Sequence, residues 1–369
     1  MRTFPGIGLW LLPCVALALS ACRSKAGAPS DSAAGGGADT AAPAEGAAPG
    51  DCGDGLDNDG DGAIDCGDAG CAEAPDCAAS SDDADGDGVP VGEDCDDTDP
   101  TVGAPVADDP DCDGVLTHAG GGDLLRIPAG AFDMGCTPGQ ADCLPDESPV
   151  TPVTLAAGLF LGVTEVTQGE YAALMGANPS NFSACGADCP VESLTWDMAA
   201  AFTNALSAAA GLTACYACAG SGEAVSCSVA LAPTACDGYR LPTEAEWEAA
   251  ARCGTDLRFA GSDNAAEVAW SLDNSGGATA PVAGKAPNAC GLYDLSGNVW
   301  EWTQDWYGGD TYTGTPVTDP VGPGEGVGRV HRGGAYVQDE SGVRVAYRGY
   351  SEPSHRGSGV GLRVARTAR

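Results

Sequence analysis

Gly291-Leu-Tyr-Asp-Leu-Ser-Gly-Asn-Val-Trp-Glu-Trp302 is the most informative stretch of this 369-residue chain. It follows Tyr239-Arg-Leu-Pro-Thr-Glu-Ala-Glu-Trp-Glu248 and precedes Arg332-Gly-Gly-Ala-Tyr336. In the second segment Thr243 and Glu246 have the spacing of a capping box, so a short helix starts there and buries Trp247 with Ala250 and Ala251. Outward from these segments, Thr167-x-x-Glu170 caps another helix, with Tyr171, Leu174 and Met175 on one face. A third helix runs from about Thr195 to Ala210, its Ala199, Phe202 and Leu206 spaced for burial. Strands are expected over 130–134, 153–163, 329–336 and 359–365. Gly and Pro are frequent between them, which predicts an α+β domain over 123–369 that is mostly irregular backbone.

Taken in order, these motifs resemble the formylglycine-generating enzyme (sulfatase-modifying factor) superfamily. The resemblance runs from Ile127-Pro-Ala-Gly-Ala-Phe-Asp-Met-Gly135 through Thr164-Glu-Val-Thr-Gln168 and Pro190-Val-Glu-Ser-Leu-Thr-Trp196 to Gly361-Leu-Arg-Val-Ala-Arg366. It implies a loop-rich relative of the C-type-lectin fold with bound calcium. One family calcium site falls on the side chains of Asp294 and Glu301 and the carbonyls of Gly297 and Val299, an oxygen cage suited to a hard cation. The alternative is that Asp294 caps the loop while Trp300 and Trp302 are core. A second family calcium site falls near Glu267 to Gly277, where no ligands can be assigned.

The family's oxidases carry a Ser three residues after the Arg of Arg-Gly-Gly, then a Cys, a Tyr and a second Cys. The two thiolates hold Cu(I), a soft ion that needs soft ligands. Here those four positions are Ala335, Gln338, Gly342 and Val343, so copper chemistry of that kind is not expected. A branch that resembles the ergothioneine-pathway sulfoxide synthases uses iron on three histidines from an attached helical domain. This chain has His118, His331 and His355 and no such domain; Glu352 could complete a two-histidine site. Iron is not expected either, and the histidines read more simply as exposed or hydrogen-bonded. The face where the family's substrate groove would lie holds Trp300, Tyr336, Gln338, Asp339, Glu340, Arg344 and Arg348. Aromatics with Arg suit recognition, and they equally suit a structural salt-bridge cluster.

The N-terminal third reads differently. Arg2, the apolar run Ile7 to Leu19 and the small residues after it form a secretion signal over 1–21. Leu19-Ser-Ala-Cys22 resembles a bacterial lipobox, which would make Cys22 a lipid-bearing first residue; simple cleavage after an Ala is the alternative. No Asp follows Cys22, which by the rule for such anchors points to the outer membrane. Residues 22–50 are a tether of small and polar residues. Residues 51–114 are Asp- and Cys-rich. Asp57, Asp59, Asp61 and Asp65 occupy positions 1, 3, 5 and 9 of a calcium loop with Gly62 at 6, and Asp83, Asp85, Asp87 and Asp94 repeat the scheme. This region resembles the thrombospondin-type-3-like metal-binding repeats of bacterial surface proteins; a solvated acidic linker is the alternative.

Residues 23–125 carry 26 acids against Arg23 and Lys25, and 126–369 carry 27 acids against 13 Arg and Lys; with Arg2 the net is −37. Such a chain has no basic patch for a nucleic acid. Setting aside Cys14 and Cys22 leaves 16 of 18 cysteines, an even number that in an exported chain reads as disulfides. The local pairs are Cys136–Cys143, Cys185–Cys189, Cys253–Cys290, and two among Cys215, Cys218, Cys227 and Cys236. Those four could instead form a zinc site. The expectation is a lipid-anchored envelope protein whose calcium-held domain binds a peptide, glycan or envelope partner, touching the membrane only through its anchor. The competing expectation, from family membership alone, is an oxidoreductase acting on a protein or peptide.

Overall fold

The computed structural model describes residues 115–368. The lipidation at Cys22, the tether and the calcium loops at Asp57–Asp65 and Asp83–Asp94 lie outside them. Fifteen short strands and three helices of eight residues or more are spread through long loops. Both capping boxes form: Thr167 Oγ1 accepts from the Glu170 amide ahead of helix Gln168–Met175, and Thr243 does the same for Glu246 ahead of Glu244–Arg252. Thr195 caps the longest helix, Trp196–Ala209, and Phe202, Leu206 and Ala199 face inward from it.

Two four-stranded sheets organise the core. The first runs Val115–Thr117, Asp123–Ile127, Leu159–Gly162, Ala365–Thr367, antiparallel throughout. The second runs Gly349–Ser351, Arg329–Arg332, Trp300–Trp306, Val360–Leu362, and its last pairing is parallel. A three-stranded sheet joins Gly130–Met134, Thr151–Leu155 and Val317–Thr318. Two of the expected strands are each divided between sheets. The run 153–163 breaks at Ala156–Gly158, where a Cβ on Gly158 would stand 2.9 Å from the Ile127 carbonyl oxygen. The run 359–365 breaks at Arg363, whose side chain turns to an internal carboxylate. The strand expected over 329–336 ends at Arg332, because Gly333 and Gly334 adopt φ of 93° and 80°, open to glycine at little cost.

The central strand Trp300–Trp306 was not expected. It is buried along nearly its whole length, so it lacks the alternation that marks a half-exposed strand. Cys136–Cys143, Cys185–Cys189 and Cys253–Cys290 pair as expected, and the four cysteines whose pairing the sequence left open form Cys215–Cys236 and Cys218–Cys227. The last two exclude a zinc site there. Cys218–Cys227 crosslinks the two strands of the hairpin Tyr216–Ala219/Ser226–Val229, Cys215–Cys236 anchors its start, and the hairpin packs on the long helix, where the Cys227 amide donates to Asp197.

The fold begins ahead of residue 123. Val115–Thr117 pairs with Asp123–Ile127, and His118 is buried in the turn between them. Its Nδ1 accepts from the Gly120 amide at 3.0 Å, and its ring meets Tyr239 edge-on. Burial lowers the His118 pKa to about 4, against a smaller upward pull from Asp123. The unfolded chain takes up this proton at 6.5 and the folded one only near 4, so stability is lost as pH falls through that window. Amide exchange in 115–127 is therefore expected to accelerate, relative to intrinsic rates, between pH 7 and 5. Unchanged protection would contradict it.

Candidate functional site

The motif residues converge on one interior network. From helix Glu244–Arg252, Glu244 and Glu248 both hold Arg332, which stands opposite Glu301 in the strand register. Arg348 donates from Nε and Nη2 to the two oxygens of Glu244 at 2.6 and 2.8 Å. Glu248 also holds Arg252. Arg240 forms a fork with Glu246 at 2.6 and 2.7 Å, and Arg344 forms one with Glu147 at 2.8 Å on both arms. Glu301 receives Arg363 and the Trp247 indole N–H, the latter at 2.6 Å. Burial penalises the Glu244 carboxylate, but Arg348 and Arg332 outweigh it and hold its pKa below the usual range.

Arg344 and Arg348 are thus interior ion-pair residues, 1% and 4% exposed. Trp300 packs between His331 and Tyr347. Tyr336 is buried edge-on to Phe182, and its hydroxyl meets Ser358 at 3.1 Å. Only Asp339 and Glu340 of the seven are exposed, with Gln338 half-buried. The structure therefore does not gather the candidate groove residues on one open face. Asp339 caps the short turn Glu340–Val343 by accepting from the Ser341 amide and hydroxyl, which lowers its pKa.

The four positions that the family's chemistry would occupy are filled. Ala335 is fully buried. Gln338 lies across Gly342, so that a Cβ there would meet the Gln338 Cβ at 3.0 Å. Val343 is packed in an apolar cluster with Phe259, Ala265, Val268 and Ala269. His331 is buried against Trp300 and Trp302, with Nε2 3.2 Å from the Ser351 hydroxyl. Burial, then His355, pulls its pKa down to about 3. His355 and Glu352 are exposed.

At the expected calcium loop, Asp294 takes φ of 60° and is 3% exposed. Its Oδ2 accepts from the Ala283 amide at 2.7 Å, while its Oδ1 has no partner. Glu165, missed in the sequence, lies beside it and accepts from the Val299 amide and the Asn298 side chain. Burial first, and the charges of Asp294 and Glu301 next, raise the Glu165 pKa well above its ordinary value. Burial raises Asp294 to about 6. Three buried carboxylates here face one guanidinium, that of Arg363. Over Glu267–Gly277, Glu267 accepts from Ser262 and Asn264, and Asn274 closes on Ser271 and Ala269, while the buried Trp270 indole N–H has no partner.

Residues 117–368 match the family model described as a sulfatase-modifying factor enzyme 1-like domain. "Chaperone protein LppX" of Paenibacillus barcinonensis is 32% identical over 274 residues, which cover 66% of this chain and 89% of that protein. The formylglycine-generating enzyme of Streptomyces coelicolor is 40% identical over 149 residues, or 36% of this chain and 48% of the enzyme. Among solved structures, Treponema denticola variable protein 1 superposes with a TM-score of 0.59 at 33% identity, covering 67% of this chain and 95% of its own.

Proposed function

Because this chain belongs to the sulfatase-modifying factor enzyme 1-like family and carries other side chains at the copper-thiolate positions, we propose that its domain is a noncatalytic binding module at the cell envelope. Its partner would be a peptide, a glycan or an envelope protein. The observation that carries this reading is the state of the cysteines. All ten in the described residues are in disulfides, and Gln338 and Val343 stand where thiolates would be needed. The disulfides also suit export to an oxidising compartment. A lipid on Cys22 would then hold the domain at the outer membrane. A protein partner is in keeping with the relative covered over 89% of its length being named a chaperone protein.

Calcium is the structural ion of this proposal. The buried Asp294 Oδ1 without a partner and the surplus of carboxylate over guanidinium fit a hard divalent cation. Asp294, Glu301 and the carbonyls of Gly297 and Val299 would hold it.

The test is metal analysis of the exported chain, purified without chelator, with thermal melts before and after calcium. Calcium with no stoichiometric copper or iron is expected. Saturation at about 100 times Kd should restore roughly 2–3 kcal/mol to chelated protein. Asp294→Ala should abolish that gain, whereas Glu301→Ala should destabilise with or without calcium, because it leaves Arg363 unpaired. Copper or iron near one per chain, or conversion of a sulfatase cysteine peptide to formylglycine, would overturn the noncatalytic reading.

A further inference from the structure

Six buried arginines, Arg240, Arg252, Arg332, Arg344, Arg348 and Arg363, each hold a carboxylate. Arg329 is as buried, at 6% exposure, yet among the described residues no carboxylate reaches it within the 4.0 Å of an ion pair. Asp305 and Asp197 act on it only from farther away. Its guanidinium is held between two indoles, 4.0 Å from the Trp196 ring centre and 3.8 Å from that of Trp306. Nη1 donates to the Gln304 carbonyl at 2.6 Å, and Nε has no partner. With two rings this close and Nε enclosed, a ligand would meet the cation through its terminal Nη groups, whose N–H bonds suit a carboxylate oxygen.

A cavity of about 350 Å³ lies against this cation. Arg329, Trp306 and Gln304 line one side, and Val229, Val321 and Pro323 add apolar surface. Val229 and Val321 are 38% and 46% exposed. The hairpin wall is held by the Cys218–Cys227 bridge and by the Cys227 amide on Asp197 at 2.8 Å. It is a stiff pocket with one unpaired cation and an apolar rim.

We propose that this pocket binds a carboxylate carried on an apolar group, such as the free C-terminus of a peptide ending in an aliphatic residue. A single guanidinium edge matches a single negative charge. A phosphate would bring up to two charges into a chain that already carries −37. The site gives a ligand class to the binding-module reading and rests on it, although the pocket lies apart from Gln338 and Val343. Copper at those positions would refute the noncatalytic reading, whereas equal binding of acid and amide would refute this site alone, so the two failures are distinguishable.

The test is calorimetric titration of the mature full-length chain with three probes: acetyl-Ala-Ala-Leu as the free acid, its C-terminal amide, and acetyl-Ala-Glu-Ala-amide. The free acid should bind at least about tenfold more tightly than its amide. Binding of the glutamyl peptide at similar strength would support the pocket with a side-chain carboxylate as the source. Val321→Asp, at an exposed rim position, should weaken the free acid at least about tenfold by supplying an internal competitor, with an unchanged melting temperature. Arg329→Lys should weaken it too, because an ammonium cannot offer the planar fork. Equal binding of acid and amide, no binding of any probe, or an unaffected Val321→Asp would each overturn the proposal.

Discussion

Arg332→Ala is expected to cost about 3–5 kcal/mol, a large part of the ~5–15 kcal/mol that keeps a domain folded. Arg332 is fully buried and binds Glu244, Glu248 and the Val345 carbonyl at once. Its removal leaves Glu248 facing Tyr312 and Arg252, and leaves Glu244 to Arg348 alone. Arg332→Lys should recover only part of the loss, since one ammonium cannot span two carboxylates in the geometry of a fork. Glu248→Gln should be nearly as damaging, because it leaves two arginines short of charge. Denaturant unfolding of the three variants measures this directly. A loss below about 1 kcal/mol for Arg332→Ala would mean that the network is not what secures this part of the fold.

The second large effect concerns pH. Asp305 is buried on the central strand, and its Oδ2 accepts from the Glu244 amide at 2.8 Å. Burial, and then the nearby Glu244 charge, raise its pKa from 3.8 to about 8. The folded protein therefore keeps a proton that the unfolded chain has released. Stability from this group is complete below pH 3.8 and declines as pH rises toward about 8. Asp305→Asn should retain the bond to the Glu244 amide without the charge. It is expected to stabilise by about 1–3 kcal/mol at pH 8 and to flatten the pH dependence between about 6.5 and 8. A variant that is less stable than the parent at pH 8, with the same slope, would refute the assignment. His118 responds with the opposite sign, losing stability as pH falls from 6.5 toward about 4, so the two slopes offset each other in that window and Asp305 shows by itself between about 6.5 and 8.

Features written between neighbours along the chain were legible in the sequence. The capping boxes at Thr167 and Thr243 need only residues three apart. Three of the disulfides close loops of 4 to 37 residues, short enough for spacing to suggest them, whereas the pairing among Cys215, Cys218, Cys227 and Cys236 was decided by the fold. The strand Trp300–Trp306 was missed because Glu301, Thr303, Gln304 and Asp305 are buried beside the tryptophans, which erases any period of two. Their burial is tolerable only because each finds a partner from elsewhere, and no local pattern records those partners. Glu165 was overlooked for the same reason, since it reads as an ordinary surface acid until Val299 and Asn298 close over it.

The sequence by itself determined the family, the helix starts and the loss of the copper thiolates, since each depends on residue identity at short or ordered spacing. The tertiary structure alone decided what the arginines do. Arg344 reaches Glu147 across 197 residues and Arg348 reaches Glu244 across 104, turning candidate recognition residues into internal supports. It also decided that Arg329 would be left without a carboxylate at a cavity. A buried charge takes its role from the groups that fold around it, and those are brought together by packing, not by proximity along the chain.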